Sequence, residues 1–124
     1  PILSHPLQVA DLARRYPEGR FIMTHGGQLD SSGWSMTDAE YVMHRHPNLI
    51  METSCLFAGE LLERLPLELG GDRPVCGSHS PWLHLGLEKK RLDRAHLPEE
   101  TKRRILGENA QNLFGSLQCH DSKK

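Results

Sequence analysis

Long apolar runs are missing from this 124-residue sequence. No stretch approaches the roughly 18 residues that a membrane span needs, and no charged-then-apolar leader is visible. An excess of one charge is missing too. The 15 Lys and Arg face 16 Asp and Glu for a net charge of -1, which leaves no electrostatic footprint for nucleic acid or an anionic membrane surface. Cysteine is scarce. Cys55, Cys76 and Cys119 are odd in number and show no CxxC or zinc-finger spacing, so the thiols are expected to be reduced and the setting cytoplasmic. Neither GxGxxG nor GxxxxGK[ST] occurs, which argues against a small flavodoxin-like binding domain.

What the sequence does have is histidine where short apolar runs end. Residues 20–27 read RFIMTHGG: Phe21, Ile22 and Met23 form the run of a buried strand, and it stops at Thr24, His25 and two glycines. Gly26 and Gly27 let the chain turn sharply with little bulk beside the imidazole. The carboxyl end of a buried strand is where α/β enzymes keep their chemistry. A core histidine bonded to a neighbour is the plainer alternative. Repetition favours the first reading, because the device recurs at residues 1–5 (PILSH) and 74–79 (PVCGSH). His44, His46, His84, His96 and His120 call for no functional account.

Taken in order, residues 1–5 predict a strand. Pro6 opens a helix through Tyr16, with Leu7, Ala10, Leu12 and Ala13 on one face and Pro17-Glu18-Gly19 as its stop. After the strand at 21–24 comes a polar loop, 28–33, beside which Trp34 reads as a packing anchor. Thr37 and Glu40 have capping-box spacing and predict a helix to about His46. Residues 49–54 (LIMETS) form the next strand, with Glu52 reading as structural and support of a metal ligand as the alternative. Leucines at 56, 61, 62, 65 and 69 predict a helix that Pro66 kinks or splits. A strand at 74–77 precedes a helix at 82–95, whose Glu88, Lys89, Lys90 and Arg91 read as a solvated face. Helices at 97–106 and 109–114 complete the domain, residues 1–117, and 118–124 read as a frayed tail. Cys55 and Cys76 read as small buried residues.

Strict alternation predicts parallel strands joined by right-handed helical crossovers. Four βα units make half of a (β/α)₈ barrel, whose usual length is about 250 residues. Periodicity alone does not separate this from a four-stranded open sheet. Because the chain opens at Pro1 directly in strand-like sequence, it is expected to be a piece of something longer.

HP after an apolar strand, RRYP, THGG, PNLIMETS, GxxRPVCGSxxP and LPEETKRRILGENAQNLFG together resemble the carboxyl-terminal half of the amidohydrolase superfamily. The branch is that of aminocarboxymuconate-semialdehyde decarboxylase and related metal-dependent hydrolases and decarboxylases. The resemblance covers residue 1 to about residue 115 and implies the last four strands of a metal-bearing TIM-type barrel. By it, His5 matches a fifth-strand metal ligand. His25 matches the sixth-strand histidine that orients or activates the water on the metal. His79 stands where the eighth strand carries a metal-ligating aspartate. The ion is expected to be divalent, with zinc the first choice. The first-strand HxH pair would lie upstream of Pro1, so the metal site is expected to be incomplete.

Two functions stay open. One is an enzyme part, a metal-dependent hydrolase or non-oxidative decarboxylase of a small carboxylated or aromatic molecule, with His5 and His79 on the metal and His25 as acid/base. The other is a degenerate or truncated barrel without catalysis. Half a barrel leaves two sheet edges and the inner strand face uncovered, so a homo-oligomer or a partner chain carrying the missing half is expected.

Overall fold

Three short parallel strands lie side by side in chain order. In the computed structural model, residues 5–29 and 33–115 are described. Strand β1 (Phe21–Met23) pairs with β2 (Leu49–Glu52), which pairs with β3 (Pro74–Val75). Phe21 stands opposite Leu49, and Met51 opposite Pro74. An open doubly wound sheet reverses its strand order partway. Here the order β1-β2-β3 advances without reversal, which a barrel wall shows throughout and a doubly wound sheet shows within each half. The chain is an α/β fragment of a (β/α)₈ barrel; of its first predicted strand, residues 1–5, the first four lie outside the described residues and His5 caps the helix that follows.

Helices α1 (Pro6–Arg15), α2 (Met36–Arg45) and α3 (Gly59–Leu69) pack on one face of this sheet. Met23, Leu49 and Met51 point into that layer and cluster with Ala10, Ala13, Val42, Met43, Leu62 and Leu65. Burying each large side chain contributes about 1.5–3 kcal/mol. Period-2 alternation sends the intervening Ile22, Ile50 and Val75 to the other face, and none of them belongs to that cluster. Ile50 and Val75 are buried, yet Ile22 stays 39% exposed. Among the described residues no helix is long and apolar enough to cross a membrane.

After the last strand come α4 (Leu85–Arg94), α5 (Glu99–Arg103) and α6 (Asn109–Phe114), and α6 packs against β3. Between α5 and α6 lies one π-helical segment, Arg104–Glu108, in which the Asn109 N–H reaches back to the Arg104 carbonyl. The Ile105 carbonyl accepts instead from the Cys76 N–H at 2.9 Å. That bond turns the chain out of the sheet after Val75, so β3 is shorter than the residues 74–77 the sequence suggests.

Three other sequence expectations change. Helix α2 starts at Met36 and not on the Thr37–Glu40 box, because the Ser35 hydroxyl donates to the Gly27 carbonyl and accepts from the Leu29 N–H. Helix α3 starts at Gly59, leaving Leu56 buried in the preceding loop, and it runs unbroken through Pro66. Helix α4 starts at Leu85, where the His84 Nδ1 accepts the Gly86 N–H at 3.0 Å. Its Glu88 is not solvated: it is 3% exposed and paired with Arg91 at 2.7 Å.

Candidate functional site

Beyond each strand's carboxyl end the chain enters a turn that few residues tolerate. After β1, residues Thr24–Gly27 form a tight turn with His25, Gly26 and Gly27 all at positive φ. A Cβ on Gly26 would come within 2.7 Å of a Leu56 methyl, and one on Gly27 within 2.6 Å of the Ala39 Cβ. Both glycines are therefore required for close approach as well as for their backbone angles. After β2 and β3, Cys55 and His79 take the same left-handed conformation. These are the three non-glycine residues of positive φ among those described, at φ 56, 55 and 53. Such backbone costs each about 1 kcal/mol or more and persists where its surroundings hold it.

The three side chains meet. The His25 and His79 rings stand edge to face with centroids 4.6 Å apart, and Trp82 lies against His79 at 5.6 Å. One ligand-capable atom each from His25, Cys55 and His79 lies within 4.8 Å of the others. His25 and Cys55 are half-buried and His79 is exposed.

Glu52 organises the protein side of this cluster. It accepts hydrogen bonds from the His25 N–H at 3.0 Å, the Ser54 N–H at 2.6 Å and the Ser54 hydroxyl at 2.8 Å. The His25 Nδ1 lies 2.9 Å from that hydroxyl and 3.2 Å from the Ser54 carbonyl. A carbonyl only accepts, so Nδ1 carries a proton, and in the neutral ring Nε2 then holds the lone pair. A Cβ on Gly77 would overlap the Glu52 carboxylate, which explains the glycine of the GSxxP turn. Burial pushes the Cys55 thiol up, and the Glu88 and Glu52 carboxylates add to the effect.

His5 sits apart from this group. Its Nδ1 accepts the Leu7 N–H at 3.3 Å and its N–H donates to the Gln8 side chain at 3.1 Å, so it caps α1. Its Nε2 lies 3.4 Å from an Asp38 oxygen. Of the expected site residues, then, the fold brings His25 and His79 together and gives His5 a capping position. Cys55 is the member that sequence reasoning passed over. Its only signal was its place directly after a strand that ends in a carboxylate.

At the strands' amino ends a concavity of about 600 Å³ opens among Gly19, Arg20, Asn48, Arg73 and Asn109. Three of its polar side chains are spent on backbone. Asn48 donates to the carbonyls of Ala13, Tyr16 and Gly19, and Arg73 to those of His46 and Leu49. Asn109 donates to Gly71 and Pro74 at 2.7 Å each.

The fold is shared with decarboxylases of known structure. The chain resembles 2,6-dihydroxybenzoate decarboxylase from Rhizobium at 21% identity and a TM-score of 0.66, over 89% of this chain and 39% of that one. It resembles a dihydroxybenzoic acid decarboxylase from Polaromonas sp. JS666, solved with manganese and 2-nitroresorcinol, at 20% identity and a TM-score of 0.68, over 88% and 39%. A third likeness is to 5-carboxyvanillate decarboxylase from Sphingomonas paucimobilis, at 20% identity and a TM-score of 0.63, over 85% and 36%. The chain thus spans about two fifths of the length of these structures. No curated protein gives a significant match. The amidohydrolase family model matches residues 2–116, and the chain belongs to that family.

Proposed function

We propose that this chain is part of a divalent-metal-dependent enzyme, a hydrolase or a non-oxidative decarboxylase, acting on a small carboxylated or aromatic molecule at the strands' carboxyl ends. The observation that carries the reading is the His25–His79 pair, held edge to face at 4.6 Å on turns of two different βα units. A bound divalent ion would supply Lewis acidity toward a carboxylate or carbonyl oxygen of the substrate. His79 would hold it, with His5 from the first βα unit once the rest of a barrel closes the site. Manganese accompanies the Polaromonas relative, and zinc also suits imidazole ligands.

His25 handles the proton. With Nδ1 fixed on Ser54, only Nε2 is available for exchange with substrate. In a non-oxidative decarboxylation the C–CO₂ bond breaks and the ring carbon takes a proton, which protonated Nε2 would deliver. Glu52, held by three hydrogen bonds, keeps the Ser54 hydroxyl oriented toward that imidazole. The dihydroxybenzoates named with the relatives place the first substrates to try among hydroxylated benzoic acids. A reducing, cytoplasmic setting fits the free Cys55 and Cys76 thiols.

The test is CO₂ release from hydroxylated benzoic acids, and hydrolysis of carboxylated amides, by the manganese-loaded protein. Turnover of one class, falling about a hundredfold or more in His25→Gln with metal content unchanged, is the expected result. A folded, metal-loaded protein that turns over neither, with the rest of the barrel supplied, would sink it.

One observation favours a second reading, a fragment that works only when covered. Each of the three βα loops carries a large exposed aromatic: Trp34, Phe57 and Trp82 are 89%, 72% and 78% exposed. Exposed apolar surface of that kind is a binding face or a liability. Light scattering that finds a monodisperse monomer would remove this alternative.

A further inference from the structure

One donor at the rim has no part in the proton chemistry above: the Cys55 thiol. It stands with His25 and His79 so that a ligand atom of each lies within 4.8 Å of the other two. In a tetrahedral zinc site, with Zn–N near 2.0–2.1 Å and Zn–S near 2.3 Å, neighbouring donors stand about 3.3–3.6 Å apart. The cluster needs to close by only about an ångström to reach that geometry, a shift within the range of side-chain rotation.

Two further observations point the same way. All three residues hold left-handed backbone, though only one of the three turns shares its strain with adjacent glycines. Three separate loops thus keep a costly conformation, and what they have in common is the spot where their side chains meet. The His25 ring is also prepared as a ligand ring is. Nδ1–H is anchored on the Ser54 carbonyl and hydroxyl, the hydroxyl on Glu52, and Nε2 is left with its lone pair. The second donor group in the fold, Glu40, His44 and Glu68, differs because Arg64 already bridges both carboxylates, at 2.6 and 3.0 Å.

We infer that His25, Cys55 and His79 form a zinc site of two imidazoles and one thiolate, with the fourth position open to solvent beside His79. A thiolate among the ligands favours zinc over manganese, which prefers oxygen donors. The site needs no residue outside this chain. The inference rests on the reading that this rim takes a divalent metal. It departs from that reading in one respect: zinc on Nε2 removes His25 from proton transfer, so zinc occupancy and turnover exclude one another.

Chelator-stripped protein titrated with zinc and with cobalt(II) tests it. One cobalt per chain, giving a near-ultraviolet thiolate-to-cobalt absorption band, is expected. The band should survive in Cys76→Ser/Cys119→Ser and vanish in Cys55→Ser, whose zinc affinity should fall about tenfold or more. X-ray absorption on the zinc-loaded unmutated protein should show one sulfur near 2.3 Å, a measurement independent of any variant's folding. Metal binding with a shell of nitrogen and oxygen only, or with an unchanged affinity in Cys55→Ser, overturns the thiolate site and leaves the metal reading intact. No binding of zinc, cobalt or manganese to folded protein overturns both.

Discussion

The two ends of the same three-stranded sheet are built on opposite terms. At the amino ends, Asn48, Arg73 and Asn109 hand their donors to backbone carbonyls and so serve the fold. At the carboxyl ends, His25, Cys55 and His79 sit on left-handed backbone with ring nitrogens and sulfur facing one another. Polar side chains at the first end satisfy groups that would otherwise be stranded. At the second end the backbone is bent to bring reactive groups together. Stability is concentrated at one rim and strain at the other, as expected of a barrel wall.

The largest effects should come from disturbing close packing at either end. Gly27→Ala forces a Cβ toward Ala39 and Met23 at φ +79, and it should cost about 3 kcal/mol or more by urea denaturation. Asn109→Ala, at a residue 4% exposed, strands the Gly71 and Pro74 carbonyls and should cost about 2–3 kcal/mol. If the ends are as different as described, only Gly27→Ala should also abolish metal binding. Asn109→Ala should leave the metal affinity of the remaining folded protein unchanged.

Acid tests the helical shell that joins the two ends. Arg64 beside Glu40, linking α3 to α2, holds that carboxyl below its ordinary value of 4.5. The His96 N–H and ring hold Glu63 below 4.5 in the same way. Native pKa values lie below the unfolded ones, so the folded chain binds fewer protons. This contribution is complete above about pH 5 and fades as pH falls through the depressed native values. The unfolding midpoint should accordingly be flat with respect to these groups from pH 7 to 5 and decline below. A midpoint that rises on acidification would contradict it.

The smallest effect is the most diagnostic. His79→Gly relieves left-handed backbone at an exposed position and should stabilise by a few tenths to about 1 kcal/mol while removing a ligand. A thermal melt that moves down would show that the rim holds no such strain.

Much of this architecture was legible from periodicity. Apolar runs at 21–23 and 49–52, with leucines at helical spacing, located the strands and helices because both patterns follow directly from backbone geometry. The errors share a cause, which is tertiary competition for a local group. The Thr37 box lost to Ser35 because Gly27 and Leu29 arrive from another part of the chain. Glu88 was assigned to solvent because its partner, Arg91, donates onward to the Leu56 carbonyl, a contact invisible in sequence. Cys55 was taken for packing because nothing in ETSC announces a left-handed residue. His25 and His79 stand out in the sequence because strand ends are readable, and in the fold their rings meet. His5 was legible both as a ligand by resemblance and as a helix opener before Pro6, and in the fold it caps α1.

The single π-helical step at Arg104–Glu108 ties the far end of the chain to the rim. By releasing the Ile105 carbonyl to Cys76, it joins the terminal helices to the residue that follows the last strand. Proteolytic trimming or frameshift upstream of residue 105 would therefore reach well beyond the lost helix. It would unclamp the segment that carries His79, three residues past the bond, and so loosen the carboxyl-end rim itself.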